Sequence, residues 1–269
     1  MSDGQQYLPQ FRTGYISSRA LWNQAWSMIW PDHFWIMVAI CLVGWFIAGA
    51  APMNVLLGPM IAGIYMCMFA IMRGERPGFE TLFKGFDVFI ETLVATLIMV
   101  GVWIVVMIPM GIAMAVLIFG VVGAVQKGGG AADGAMLGLI ILAYVGMIVV
   151  SVVIQSLFIF AYPLIVDHGL SGFEACKLSA RAAWANIWNV IRMMILLGII
   201  GCVSAILCFL PLLFAIPIMQ GTQALLYRSV FPLEGEPVGQ PADPYGDPRQ
   251  DPYADSGGGA GYQLDDVWQ

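Results

Sequence analysis

Residues 88–126 read VFIETLVATLIMVGVWIVVMIPMGIAMAVLIFGVVGAVQ, and this stretch decides the class of the protein. Glu91 is its one charged residue, and Pro109-Met110-Gly111 is its one break. A helix needs only about 20 apolar residues to cross the hydrocarbon core of a bilayer. The whole chain has the same character, with 60% hydrophobic and 10% charged residues and a mean hydropathy of +0.84. The sequence therefore predicts a polytopic integral membrane protein.

Five further apolar runs complete the set of predicted spans. They cover residues 33–50, 54–72, 136–166, 189–209 and 212–230. If 88–126 is one span, six spans place ten Lys and Arg residues on the cytoplasmic side and only Lys127 outside, as the positive-inside rule requires. Splitting 88–126 at Pro109 gives seven spans, which would place six Lys and Arg residues on the cytoplasmic side and five outside. We therefore predict six spans with both termini cytoplasmic, and a tilted, kinked or re-entrant extension at 109–126.

Three amphipathic segments precede the predicted pairs of spans. The first, residues 17–30, carries three tryptophans on one helical face, and tryptophan favours the headgroup layer. Segments at 79–86 and 172–187 show the same helical spacing of apolar residues. The fold class that follows is an all-α integral membrane protein. Its six transmembrane helices form three hairpin-like units, each preceded by a cytoplasmic interfacial amphipathic helix.

The two ends of the chain differ from the membrane domain at 17–231. Residues 1–16 are polar and predicted to be flexible. Residues 232–269 hold eight acidic groups and one arginine among Pro, Gly and Tyr, which predicts a disordered acidic tail. This tail accounts for the net charge of −6, because the rest of the chain is close to neutral. This balance of acidic and basic residues argues against nucleic-acid binding.

Three stretches carry a resemblance to a known family. They are Gly58-Pro59 with Gly63 and residues 73–86, Ile108-Pro109-Met110-Gly111, and residues 160–179 with Tyr162-Pro163 and Asp167-His168-Gly169. Together they resemble bacterial six-span integral membrane proteins of unknown function, related to the membrane domain of glycerophosphodiester phosphodiesterases. The resemblance covers about residues 20–231 and implies a bacterial cytoplasmic (inner) membrane location. It transfers no catalytic residue, and the phosphodiesterase catalytic domain is absent from this sequence.

Catalytic and metal-binding patterns are scarce. The chain has two histidines, His33 and His168, and no HExxH, P-loop or GxSxG motif. We expect a non-enzyme without cofactor or metal. A membrane-embedded hydrolase would need Asp87, Glu91, Asp167 and His168 within hydrogen-bonding reach of one another.

Polar side chains at membrane depth form the candidate site, because each is costly unless it has a partner or a role. The candidates are Asp87, Glu91, Ser151, Gln155, Arg192, Gln220 and Gln223. Glu91 and Arg192 could pair with each other or extend to the headgroups. The Ser and Gln side chains could join helices or line a polar cavity. Pro109, Pro163 and Pro217 are candidate helix kinks.

Two functions are compatible with these patterns. The first is a non-enzymatic inner-membrane protein that organises, assists or senses membrane or envelope components. The alternative is a transporter or lipid-handling protein with a weakly polar cavity between spans three to six. In both cases the expected partners are the lipid bilayer and a membrane-protein partner or a second copy of the chain, and not nucleic acid.

Overall fold

A computed structural model describes residues 9, 11–14, 16–50, 55–126, 132–207 and 210–232 of the chain. This part is 86% helical and contains no strand. The first five helices are α1 (Ser18–Ile29), α2 (Phe34–Ala50), α3 (Leu57–Met72), α4 (Phe79–Phe83) and α5 (Phe89–Gln126), with a 3-10 turn at Lys84–Val88. The others are α6 (Ala132–Phe158), α7 (Ala161–His168), α8 (Gly172–Ala185), α9 (Ile187–Ile206) and α10 (Leu210–Val230). The acidic tail from residue 233 onward lies outside the described residues.

Three helical segments are long and apolar enough to cross a membrane. They are Phe79–Gly123, Gly138–His168 and Ile187–Ile206. A fourth is present if α1 and α2, between which the helix direction bends by 105°, count as one broken span. The apolar helix α3 has 16 residues, which is short for a crossing. The described residues therefore establish an all-helical protein with three to four clear membrane-spanning candidates.

The core lies where α2, α3, α7 and α10 meet. Its largest fully buried side chains include Met60, Met68, Phe160 and Tyr227. Helix α4 and the 3-10 turn that follows it cross α3 so closely that only glycine fits at the two points of contact. A Cβ atom on Gly63 would collide with the carbonyl oxygen of Leu82, and one on Gly85 would collide with the carbonyl oxygen of Pro59. These collisions involve backbone atoms, which cannot rotate away.

The segments predicted to be amphipathic form helices at the edge of this core. In α1, Leu21, Ala25 and Ile29 are buried against α10. Trp26 and Trp30 remain about half exposed, and their rings stack at 5.9 Å. The Ser171 hydroxyl caps the start of α8, because it accepts a hydrogen bond from the Glu174 N–H and donates one to the Glu174 carboxylate. This helix is capped at its C-terminus by Asn186, which separates it from α9.

Helices α5 and α6 form a long apolar hairpin that packs on the rest of the protein only near its base. The most apolar window of α5 has none of its residues buried. Its 38 residues extend about 57 Å at a rise of 1.5 Å per residue, almost twice the hydrocarbon thickness. Pro109 lies inside this helix, Pro217 lies inside α10, and Pro163 lies in the first turn of α7.

Candidate functional site

The strongest polar cluster of the described residues joins the end of α7 to the last turns of α10. The Arg228 guanidinium donates through both terminal nitrogens to the Asp167 carboxylate, at 2.7 and 2.8 Å. The Tyr227 hydroxyl donates to the same carboxylate at 2.8 Å. The Asp167 and Arg228 side chains are only 16% and 18% exposed. Such a bidentate, partly buried pair is stronger than a surface ion pair.

The fold positions each member of this cluster. Helix α7 ends at Asp167-His168 because Gly169 adopts a left-handed conformation with φ of 60°, which glycine tolerates best. The guanidinium carbon of Arg228 lies 4.4 Å from the centroid of the Phe69 ring on α3, a cation–π contact. Three helices therefore meet at one charged pair.

The cluster holds helices together, since its carboxylate accepts three hydrogen bonds from α10. Asp167 accepts from Tyr227 and from both nitrogens of Arg228, and His168 Nε2 lies 3.4 Å from the same oxygen. These hydrogen bonds engage both oxygens of the carboxylate with side chains of α10. The arrangement favours a structural role.

Glu91 binds a backbone group. Its Oε2 accepts a hydrogen bond from the N–H of Gly172, at the first turn of α8, at 2.7 Å. A carboxylate at this position satisfies a free N–H group and interacts favourably with the helix dipole. The backbones also touch here, because a Cβ atom on Gly172 would collide with the carbonyl oxygen of Glu91. Asp87 and Arg192 are exposed, and pairing of Glu91 with Arg192 stays one of the two open alternatives.

The polar candidates of the later spans lie in different surroundings. Gln223 on α10 accepts a hydrogen bond from the Tyr65 hydroxyl on α3 at 3.1 Å. Gln220 is buried, with 8% of its surface exposed. On α6, Ser151 is partly buried and Gln155 is exposed. Gln220 and Gln223 of α10 are thus buried or bonded to a neighbouring helix, whereas Gln155 of α6 is exposed.

Two cavities of the described residues are lined by other side chains. An open apolar groove of about 540 Å³ runs along α5 and includes Trp103, Met107 and Ile112. A smaller one of about 150 Å³ lies between α1 and α9, at Trp22 and Leu196. None of the seven polar candidates lines either cavity. The described residues also contain no group of three or more His, Cys, Asp or Glu side chains placed to hold a metal ion.

The four residues required by the hydrolase hypothesis are only partly brought together. Asp167 and His168 are in contact, but they are also neighbours in sequence. Glu91 is bound to the N-terminus of α8, and Asp87 is exposed on the 3-10 turn. The Asp167 carboxylate is occupied by Arg228 and Tyr227.

The N-terminal segment, predicted to be flexible, is attached where it is described. The Asn186 side-chain amide donates to the Arg12 carbonyl at 2.9 Å, and the Asn189 amide donates to the Gly14 carbonyl. The N–H of Arg12 donates to the Val230 carbonyl at 2.8 Å. Sequence reasoning missed these contacts, although two asparagines at the start of a predicted span were a usable signal.

Sequence reasoning also missed the Asp167–Arg228 pair, because the two residues are 61 positions apart and no local pattern links them. Four polar side-chain pairs link helices across the described bundle, namely Tyr65 with Gln223, Thr96 with Tyr162, and Asp167 with both Tyr227 and Arg228. No protein-family model, curated protein or solved structure matches this chain.

Proposed function

We propose that this chain is a non-enzymatic, six-span protein of the bacterial cytoplasmic membrane that organises or assists other membrane or envelope components. Its expected partners are the lipid bilayer and a membrane protein, or a second copy of the chain. The surface proposed to meet the partner is the exposed apolar face of the α5–α6 hairpin, which includes Ile112, Val116 and Phe119.

One observation supports this proposal above the others. Polar side chains of the bundle bind across helix boundaries, as Tyr65 does with Gln223 and Asp167 does with Arg228. A transport path needs polar groups that face a shared water-filled route and can exchange partners with a substrate. Groups bound to neighbouring helices serve helix packing instead.

The length of the hairpin is a second line of support. Helix α5 is too long to cross about 30 Å of hydrocarbon within the usual range of tilt, and it carries no charge between Glu91 and Lys127. Another apolar surface beside the hairpin would keep the excess length away from water. A membrane-protein partner offers such a surface.

The proposed topology rests on charge. Six spans correspond to α2, α3, α5, α6, α9 and α10. Ten of the eleven Lys and Arg residues are then cytoplasmic, and both termini lie on that side. The resemblance to six-span bacterial membrane proteins is compatible with the same arrangement and is part of the proposal.

Native mass spectrometry of the protein, extracted with its lipids, tests this function. We expect one protein partner at fixed stoichiometry, and we expect the double variant Ile112→Ala/Phe119→Ala to lose it. The matched control is Phe46→Ala on α2, because Phe46 and Phe119 are 79% and 77% exposed. Partner retention by the hairpin variant and loss by the control would contradict the proposed surface.

A lipid-handling function is the second candidate, and the apolar groove along α5 is the observation that favours it. Its lining includes Val100, Trp103 and Ile108, which match the chemistry of an acyl chain. If the same spectra show a single lipid class in place of a protein partner, and Trp103→Ala releases that lipid, lipid handling replaces the organising function.

A further inference from the structure

The N-terminal segment is held by contacts that recur at alternate residues. The carbonyls of Arg12 and Gly14 accept hydrogen bonds from Asn186 and Asn189, and the N–H of Ile16 donates to Asn189 Oδ1 at 3.4 Å. In an extended chain, successive residues face opposite sides, so every second residue can bind the same surface. The alternation of contacts at residues 12, 14 and 16 is typical of an extended peptide.

The two asparagines recognise backbone and not side chains. A side-chain amide has one carbonyl and one NH₂ group, so it complements a peptide group as another peptide group would. Asn186 and Asn189 are 3% and 7% exposed, which fixes both amides in place. Asn186 also donates to the Ala182 carbonyl at 3.1 Å, which anchors it to the end of α8.

Asn186 retains one unused hydrogen-bonding group. Its Oδ1 is buried and has no donor among the described residues. A buried acceptor without a donor is costly, and native structures contain few of them. The site can therefore accept one more N–H than the described part of its own N-terminal segment supplies.

An aromatic contact lies at the other end of the segment. The Phe11 ring meets the Phe231 ring edge-on, with centroids 6.3 Å apart. Phe231 is fully buried and packs on Phe160 and Tyr227, so its position is fixed by the core. Between the two ends, Thr13 and Gly14 are exposed. The attachment consists of an aromatic anchor and a few backbone hydrogen bonds.

We propose that Asn186, Asn189 and Phe231 form a peptide-binding site that the described residues 11–14 and 16 of the same chain occupy reversibly. Its ligand class is an extended peptide segment with an aromatic residue five positions before the N–H that binds Asn189. The N-terminal segment acts as a competitor in cis. A tethered segment has an effective concentration of about millimolar, so a free peptide binds well only when the tethered one is weakened.

Fluorescence anisotropy with the full chain in lipid nanodiscs tests this site. The probe is a labelled synthetic peptide of residues 9–18, PQFRTGYISS. The variant Phe11→Ala/Ile16→Pro weakens the tethered segment, because it removes the aromatic anchor and the N–H that Asn189 accepts. We expect this variant to bind the probe at least about tenfold more tightly than the unmodified chain does.

A second substitution in the weakened chain separates specific binding from adsorption to lipid. Asn189→Asp conserves shape but places a carboxylate oxygen against the peptide carbonyl, and we expect about a tenfold loss of probe affinity. A probe with proline in place of Ile16 should lose affinity in the same way. Equal binding by all variants and probes, or no binding by the weakened chain, would overturn the proposal.

Hydrogen exchange on the unmodified chain provides a test that needs no variant. A reversible segment opens far more often than the core, so the N–H of Ile16 should exchange at least about 100-fold faster than that of Met68 in α3. Equal protection of the two amides would show a permanently docked segment and would also overturn the proposal.

Discussion

Arg228 on α10 donates hydrogen bonds to the Asp167 carboxylate on α7 through both terminal nitrogens of its guanidinium group, at 2.7 and 2.8 Å. The two residues are 61 positions apart in sequence, and the pair lies against the Phe69 ring of α3. Because a single charged contact joins three helices, its removal should affect the whole bundle and not one helix end.

Asp167→Asn should lower the free energy of unfolding by about 2–3 kcal/mol. The substitution leaves the Arg228 guanidinium, which is 18% exposed, without its counter-charge and removes the bidentate acceptor. Denaturant titration in mixed micelles measures the change. The control is Glu75→Gln, which breaks the Arg73–Glu75 pair, whose side chains are 57% and 58% exposed. An equal effect of the two substitutions would show that the Asp167 pair is no stronger than a surface pair.

Glu91→Gln should destabilise the protein by about 1 kcal/mol. The neutral side chain still offers an oxygen to the Gly172 N–H, but it loses the charge that favours the N-terminus of α8. Asp87→Asn is the matched control one turn away, since Asp87 is exposed and should change stability by less than about 0.5 kcal/mol. Equal losses from both variants would contradict the capping role of Glu91.

Gly63→Ala should destabilise the protein by at least about 3 kcal/mol, because the added Cβ meets the Leu82 carbonyl and two backbones must separate. Gly101→Ala in α5 is the control, since nothing lies within 4 Å of the new Cβ there. That substitution should leave stability unchanged or raise it by up to about 1 kcal/mol. Similar unfolding curves for the two variants would refute the close approach of α4 to α3 at Gly63.

Reporter fusions test the proposed topology. A reporter that works only in the cytoplasm should be active when it is fused after Gln269. A reporter that works only outside the cytoplasm should be active when it is inserted in the glycine-rich loop at 128–130. Activity of both fusions in the same compartment would exclude the six-span arrangement.

Residues of the Arg73–Glu75 pair provide a test of local electrostatics. The hydrogen bond from Arg73 lowers the pKa of the Glu75 carboxyl below its usual value. A lowered carboxyl pKa stabilises the folded protein above the unfolded-state pKa, and this stabilisation is lost as the pH falls through the folded-state pKa. In Arg73→Gln, carbon NMR of Glu75 should show a higher pKa; an unchanged value would rule out the pair in solution.

Helix positions could be predicted well because membrane crossing leaves a strong local signal. The apolar run 88–126 became α5 at Phe89–Gln126, and the amphipathic segment 17–30 became α1 at Ser18–Ile29. The burial of α1 was less predictable. Its tryptophans marked one apolar face, whereas the residues packed on α10 are the smaller Leu21, Ala25 and Ile29. Local spacing identifies an apolar face but not the neighbour that it contacts.

The polar contacts could not be predicted, because they depend on which helix ends meet. Asp167 and Arg228 both lie at ends of apolar helices, where sequence alone is equally compatible with charges that extend into the headgroups. Asn186 and Asn189 bind residues more than 170 positions away. Such pairings become visible only when the helices are placed in three dimensions.

Cysteine accessibility at Gln155, Gln220 and Gln223 tests most directly the claim that the polar side chains serve helix packing and not transport. Each is replaced in turn by cysteine in a chain without its native cysteines, and a membrane-impermeant maleimide is added from both sides. We predict no labelling at Gln220, which is buried, or at Gln223, whose side chain is partly buried and bonded to Tyr65. Labelling of all three positions from water, with protection by one solute, would contradict the account and establish a transport path.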